Sequence, residues 1–535
     1  MRGVTISVGL SSKDPLPDKG KDANMILLDN TPASVKNPPA KRARMALTLL
    51  VGVSLGVLAQ TTWAQADSRP GSASKPNIVI LLADNVGYGV PSSYNGGILD
   101  TPTPRIDQLA AEGVRLTNFN VENQCTPSRA ALLTGRLPIR SGIGKAIGSG
   151  AEGGLHRWEI TLAEMLGDAG YRTALLGKWH LGTGPGRLPT DQGFDQWFGF
   201  ETSDVSYWAG DTDMPLRDVD YIREASKGGA PRNLQVYDQN TRRQIDRMVT
   251  DRAVEYLAAS AKDKRPFFLY VPFAFAHHPV LANPEFKGQS PAGEFGDSLL
   301  EHDHNVGRIL DALKAAGLDD KTVVVWASDN GPSPLPTNTP TWTNGDAGPW
   351  RGEIGTALEG NIRTPYIMRW PGNIPAGRVS NQIVSAVDLF PTIAHIAGGK
   401  VPTDRPIDGV DQLDFLTAKQ EKSNRESVLV FVGDRLMAVK WRNYKIHMAG
   451  LDRVDGVVEE WSFPQAFNLA SDPKERFNII WQNTWLSRKI QPVIAGYRES
   501  LKQYPNLAPG QSNDVLPHYG KQQSTAATGE QKAVP

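Results

Sequence analysis

One cysteine, Cys125, is all the thiol that 535 residues contain, so no disulfide can form within the chain. Net charge is also missing: 57 Lys and Arg offset 57 Asp and Glu. A nucleic-acid binder carries a basic excess, so this balance argues against that partner, and any preference for anions has to be local. Internal repeats are absent, and so is an apolar run of the roughly 20 residues that a membrane span needs. The nearest approach runs from Met45 to Ala59. Lys41, Arg42 and Arg44 precede it and Ala64-Gln65-Ala66 follows, which is the charged, apolar, small-x-small order of a secretory signal. We therefore expect a leader and signal peptide over 1–66 and a linker over 67–75. Export to the periplasm or the medium follows, with no stable membrane insertion after cleavage; a retained N-terminal anchor is the alternative, and Met25 is a candidate start. Exported proteins mostly use cysteines in pairs, which makes a solitary one notable.

Cys125-Thr126-Pro127-Ser128-Arg129 leads into an apolar turn that ends at Gly135. Thr126 suits an N-cap, Pro127 the first helical position and Gly135 the stop, so the pattern predicts a short helix beginning beside the cysteine. Unsatisfied N–H groups and the helix dipole at that end favour an anion, and Arg129 can point back to the same spot. Cys125 is then either a nucleophile facing an oxyanion or a small residue that only packs.

Four unbroken apolar runs read as buried parallel strands: Pro76 to Leu82, Arg172 to Leu176, Pro266 to Val271 and Thr322 to Trp326. Helical patterns separate them, over Arg105–Glu112, Thr161–Ala169, Gln244–Ser260 and Asp297–Ala316. Residues 183–240, rich in Gly, Pro, Asp and aromatics, read as long loops. From 426 the pattern changes to short segments with turns, then a helix near Trp485 to Gln503. The fold class expected is α/β: a large, mainly parallel sheet flanked by helices over 76–425, with a smaller C-terminal domain over 426–510 built on an antiparallel sheet and a helix. Residues 511–535 read as a disordered tail.

Ligands of parallel sheets bind outside the carboxyl ends of the strands. Those ends carry Asp84 and Asn85, Lys178 and His180, His277 and His278, and Asp329 and Asn330. Two carboxylates and two amides offer only hard oxygen donors, which select Ca²⁺, or less readily Mg²⁺, over zinc. Asp-Asn pairs are also ordinary turn formers, so each pair alone carries little.

Cys125 to Arg136, a CTPSRAALLTGR segment, resembles the signature of the type I sulfatases of the alkaline phosphatase superfamily. Pro76 to Gly89 and Ser328 to Pro332 resemble that family's two metal motifs, Gly177 to Gly182 its second signature, and Glu359 to Pro365 and Asp388 to Thr392 further landmarks. The resemblance runs in the family's order over about 76–480. It implies an arylsulfatase-like hydrolase that cleaves aryl or carbohydrate sulfate monoesters to alcohol and inorganic sulfate. Cys125 would be oxidised by a formylglycine-generating maturation enzyme to Cα-formylglycine, whose hydrate attacks sulfur and forms a covalent sulfated intermediate. Asp84, Asn85, Asp329 and Asn330, together with the modified Cys125, would hold Ca²⁺. Arg129 and Lys178 would hold the diol and the sulfate charge, His180 would be the base for collapse of the hemiacetal, and His277 would protonate the leaving oxygen. Ser203 would line the sulfate site. Two departures stand out. Asn85 takes the place of a usual second Asp, and Ile354 stands where the family commonly has a Lys, so that either Arg351 substitutes for its charge or His277 acts alone. A phosphonate monoester or phosphodiester hydrolase with the same nucleophile, and a non-catalytic sulfoglycan-binding relative, are the competing readings. Specificity is expected in residues 183–240 and 333–350 and in the C-terminal domain, where Trp208, Trp342 and Trp350 either stack on substrate or pack in the loops.

Overall fold

A computed structural model of the chain describes residues 75–148, 153–202, 220–333 and 345–507. The leader, the tail, Ser203, Trp208 and Trp342 lie outside the described residues.

Eleven strands form the main sheet: β1 (Asn77–Ala83), β2 (Val114–Asn120), β3 (Arg172–Lys178), β4 (Gln196–Phe200), β5 (Tyr221–Ser226), β6 (Arg232–Val236), β7 (Phe267–Pro272), β8 (Thr322–Ser328), β9 (Arg363–Arg369), β10 (Arg378–Ser380) and β11 (Val384–Ser385). Their order is β10-β2-β9-β8-β1-β7-β3-β4-β5-β6, with β11 beside β2. The centre, β8-β1-β7-β3-β4, is wholly parallel. Its strands are buried on both faces, which is why β1 has no polar side chain between Asn77 and Asp84. Alternate residues feed two cores. Ile78, Ile80 and Leu82 face the layer that holds the helices Cys125–Thr134, Leu162–Asp168 and Leu389–Ala397. Val79, Leu81 and Ala83 face the helices Pro104–Ala111, Ile245–Ser260 and Gly293–Ala315.

Two expectations need correction. The 183–240 stretch is not all loop, because β4, β5 and β6 lie in it and extend the sheet by an antiparallel hairpin. β5 and β6 sit toward the sheet edge, so Arg223, Glu224 and Arg232 break the apolar run that marks a buried strand. The Cys125 helix begins at the cysteine itself, with Gln124 as N-cap and no side-chain cap; Gly135 ends it at φ 69°. Thr126 Oγ1 is used elsewhere, donating to the His180 carbonyl at 3.0 Å.

The second sheet is an antiparallel meander of β12 (Ser427–Val432), β13 (Arg435–Trp441), β14 (Tyr444–Gly450) and β15 (Glu459–Asn468). The helix Ser487–Gln503 covers it, with Leu486 and Ile490 packed on Val439, Ile446 and Ala466. Buried charge joins this sheet to the main one. Lys440 Nζ donates to Asn118 Oδ1, Asn120 Oδ1 and Glu359 Oε2 at 2.7, 2.8 and 2.6 Å. Lys445 Nζ lies 3.2 Å from Glu359 Oε1 and 3.6 Å from Glu475 Oε2.

Candidate active site

Strand register assembles the cluster. β1 and β8 run parallel with Ala83 opposite Ser328, so Asp84-Asn85 and Asp329-Asn330 leave the sheet side by side. Asn85 turns the chain at φ 60°, a left-handed conformation that Asn tolerates better than most residues. Its N–H donates to Asp329 Oδ1 (3.1 Å), and Asn330 Nδ2 donates to Asn85 Oδ1 (2.6 Å). After β7 the chain crosses the same end. Asp84 N–H donates to the Phe275 carbonyl at 2.6 Å, which brings His277 close. Ligand atoms of Asp84, Cys125 and His277 all lie within 4.8 Å of one another.

Arg129 sits one helical turn past Cys125 and ties the carboxylates together. Its Nε and Nη2 donate to Asp329 Oδ2 at 3.0 and 2.8 Å, Nη2 also reaches Asp84 Oδ2 at 3.0 Å, and Nη1 meets the Lys178 carbonyl at 3.2 Å. Lys178 Nζ donates to Asp84 Oδ2. Cys125 Sγ lies 3.3 Å from Asp84 Oδ1 and 3.7 Å from Asn85 Oδ1. His180 adjoins this group at φ 58°, with Nε2 at 2.7 Å from the Ile147 carbonyl.

Two acids and two bases in one dry pocket set each other's protonation. Burial opposes charge on Asp84, but Lys178, Arg129 and His277 together hold its carboxyl well below the usual range. Burial and the Asp84 charge push Asp329 up, to about 6. Burial works against the Arg129 cation, yet Asp329 and Asp84 keep it protonated. Burial, with Asp84 beside it, drives the Cys125 thiol well above its ordinary value, so this sulfur is an S–H donor and not a thiolate. His180 is held neutral by burial and by Lys178 and Arg129; His277 is pushed down to about 3 by burial and Lys178. His277 Nδ1 lies 2.7 Å from the His278 carbonyl, so it carries the proton of the neutral ring and Nε2 is the nitrogen left for a ligand.

The donor set fits a hard divalent cation. Asn330 Oδ1 is buried with no hydrogen-bond partner, a costly state for an amide oxygen unless something else takes its lone pairs. With Asp84, Asn85 and Asp329 it makes a group of buried oxygens suited to Ca²⁺ or Mg²⁺. Two other sequence candidates have partners of their own. Arg351 pairs with Asp452 at 3.5 Å, and the Trp350 ring is covered by the Arg363 guanidinium at 4.0 Å and meets Tyr88 edge-on. Asn361 carries a role that sequence reasoning left unassigned within its landmark. Its Oδ1 accepts from Gly331 N–H (3.2 Å) and its Nδ2 donates to the Asn123 carbonyl (3.0 Å), so it braces the loop after Asn330 against the approach to Cys125. The Ile147 carbonyl, which orients His180, left no sequence signal because it is a backbone group.

A hydrolytic cluster of this make-up, at the carboxyl end of a large parallel sheet, defines an enzyme that acts on an anionic ester. The sequence model of the family described as Sulfatase matches residues 76–399, and the chain belongs to that family. A second model, N-sulphoglucosamine sulphohydrolase, C-terminal, matches residues 356–503. N-acetylgalactosamine-6-sulfatase of Canis lupus familiaris is 34% identical over 469 residues, covering 81% of this chain and 87% of that protein. Arylsulfatase A of Homo sapiens is 34% identical over 443 residues, covering 76% and 84%. The crystal structure of PsFucS1 sulfatase from Pseudoalteromonas sp. matches with a TM-score of 0.76 at 32% identity, over 81% of this chain and 92% of that one. The protein is thus a sulfuric ester hydrolase, arylsulfatase-like, and metal use is general in its family. Among the described residues no helix is long and apolar enough to cross a membrane.

Proposed function

We propose that the enzyme hydrolyses sulfate monoesters through a formylglycine made from Cys125. One observation carries this reading. Cys125 heads its helix with Sγ 3.3 Å from Asp84 Oδ1 and 3.7 Å from Asn85 Oδ1, in a chain of the Sulfatase family, so the residue that would be converted stands where the nucleophile is needed. Formylglycine supplies a hydrated aldehyde as nucleophile. Ca²⁺, held by Asp84, Asn85, Asp329, Asn330 and residue 125, supplies Lewis-acid stabilisation of the sulfate oxygens.

The rest is done by side chains. Arg129, bonded to both carboxylates, fixes their orientation and adds positive charge beside residue 125. Lys178, fully buried on Asp84, offers its ammonium to a sulfate oxygen. His180 stays neutral and is able to accept a proton from the nucleophile's second hydroxyl. His277, neutral with its proton on Nδ1 before the ester binds, would take a second proton from solvent on Nε2 as the negative charge of the sulfate arrives, and would donate that Nε2 proton to the leaving oxygen. Ser203 is assigned to the sulfate site and Arg351 to the leaving-group side. Residues 76–425 form the catalytic domain and 426–510 a C-terminal subdomain. Export by the 1–66 leader and modification by a formylglycine-generating enzyme complete the reading. Intact-mass measurement on protein from its native host tests it: conversion removes roughly 18 Da, and Cys125→Ala is expected to abolish turnover of an aryl sulfate. A full-mass thiol in active protein, or substantial turnover by the alanine variant, would sink it.

A further inference from the structure

A strap of chain over residues 144–147 ties His180 to the start of the Cys125 helix. Gln124 Oε1 accepts the Ala146 N–H at 2.9 Å, and Thr126 Oγ1 accepts the Ile147 N–H at 3.3 Å. Gly144 lies against the Gly433 carbonyl, in the turn between β12 and β13, so closely that a Cβ would overlap it. Held at these three points, the strap presents the Ile147 carbonyl to His180 Nε2 at 2.7 Å. Thr126 Oγ1 also donates to the His180 carbonyl at 3.0 Å. One hydroxyl therefore reaches His180 twice, directly at its backbone and through Ile147 at its ring.

Each of these bonds has one possible direction. A carbonyl only accepts, so Nε2 carries a proton, and in a neutral imidazole the lone pair is then on Nδ1. His277 is arranged the other way, with its Nδ1 on the His278 carbonyl. The Thr126 hydroxyl has one proton, which the His180 carbonyl takes, while its oxygen receives the Ile147 N–H. The backbone of His180 needs such support. It stands at φ 58°, a conformation that a residue with a Cβ keeps only where its surroundings hold it, and its N–H is fixed on the Glu201 carbonyl at 2.8 Å. Thr126 and His180 are both buried, so water does not replace a bond that is lost. A valine at 126 would keep the shape of threonine and leave both backbone groups unmet.

We propose that Thr126 is a positioning residue for the base: its hydroxyl holds the strap and the His180 backbone so that Nε2 stays on the Ile147 carbonyl and Nδ1 is the nitrogen that takes the proton. The inference rests on the reading of His180 as the base that releases sulfate. In that step Nδ1 takes the proton of the nucleophile's second hydroxyl. The O–H electrons close the C=O, and the C–O bond to sulfate breaks with its pair leaving on the sulfate oxygen. The first test needs no turnover. In protein with unmodified Cys125, nitrogen-15 NMR of labelled histidine rings reads each tautomer, and the signals lost in His180→Ala assign this one. Wild type and Thr126→Ser are expected to hold a single Nε2–H tautomer, and Thr126→Val to show both. The second test uses formylglycine-bearing protein, with rates scaled to the modified fraction by intact mass because residue 126 lies inside the signature segment. For 4-nitrophenyl sulfate, Thr126→Val is expected to lower kcat about tenfold or more and KM in proportion, leaving kcat/KM within about threefold. A sulfated chain heavier by roughly 80 Da should accumulate, and Thr126→Ser should stay within about threefold of wild type in kcat. His180→Ala is the reference and should show the same split more severely. An Nδ1–H tautomer in wild type, a Thr126→Val protein with wild-type tautomer and kcat, or a serine variant as slow as the valine one overturns the inference and leaves the sulfatase reading standing. If His180→Ala lowers kcat/KM as much as kcat and no sulfated chain builds up, His180 is not the base and both fall.

Discussion

Asn85 contributes an amide oxygen to the site, so the pocket offers Asp84 and Asp329 as its charged oxygens and spends Arg129 and Lys178 on them. That arrangement is near neutral before any ion arrives, which explains how four charged side chains can all be fully buried. A third carboxylate would change the balance. Asn85→Asp keeps the left-handed turn, which Asp also tolerates, and keeps an acceptor for Asn330 Nδ2. With the ion removed, three carboxylates then crowd one pocket and repel. The expected outcome is a lower melting temperature than wild type in chelator and a Ca²⁺ affinity at least about tenfold tighter. Thermal scans across a Ca²⁺ titration read both. Equal shifts with and without the ion would mean that Asn85 does not face it.

At the scale of single elements, the helix Gly293–Ala315 buries more charge than its surface position requires, and Glu301 is the clearest case. Burial pushes its carboxyl up to about 8, with Asp246 adding to the effect, although its Oε2 accepts the Asn283 N–H at 2.8 Å. The folded protein therefore keeps a proton between about pH 4.5 and 8 that the unfolded chain releases, and stability falls as pH rises through that window. The slope reaches at most about 1.4 kcal/mol per pH unit. Glu301→Gln keeps an oxygen for Asn283 and cannot ionise, so it is expected to flatten the decline and to be the more stable protein at pH 8; denaturant unfolding at a series of pH values checks this. A variant curve parallel to wild type would show that Glu301 is ionised throughout. The elements also differ in how far they were legible. β1, β3, β7 and β8 read as unbroken apolar runs because helices cover both their faces, and the polar residues just past each were therefore legible as a site. β2 alternates along VRLTNFN and was missed. β9 carries Pro365, which falls opposite the bulge in β2 between Leu116 and Phe119, where no ladder bond is needed. Such a strand is visible only once its partner is known, and the same holds for Asn361, which reaches the Asn123 carbonyl across 238 residues, and for the Ile147 carbonyl, which is a backbone atom.

For the whole molecule the question is what makes two sheets behave as one enzyme. Two small apolar clusters cross between the sheets, Ala357, Ile362 and Ile383 against Val428, Met437 and Ala438, and Leu137 and Ile139 against Phe431, and a buried ionic network joins them as well: Glu359, in the helical turn just before β9, accepts from Lys440 and lies beside Lys445, while its N–H donates to Glu475 Oε1 at 2.8 Å. His447 Nε2 closes the network on Glu475 Oε2 at 2.6 Å. Burial opposes the charge on Glu359, but Lys440, Lys445 and Arg363 hold it ionised. A network of this kind ties orientation more than it adds stability, because the desolvation of each charge offsets much of the attraction. Removing one member is another matter. Glu359→Ala leaves two lysine ammoniums buried without their shared acceptor, and the expected loss is about 3–5 kcal/mol, with the single unfolding transition broadening or splitting as the C-terminal sheet loosens first. A double variant separates charge from packing. Glu359→Leu with Lys440→Met replaces the pair by apolar groups of similar volume and is expected to recover most of the stability, since Lys445 keeps Glu475. A double variant as unstable as Glu359→Ala would show that the loss comes from packing and not from unpaired charge.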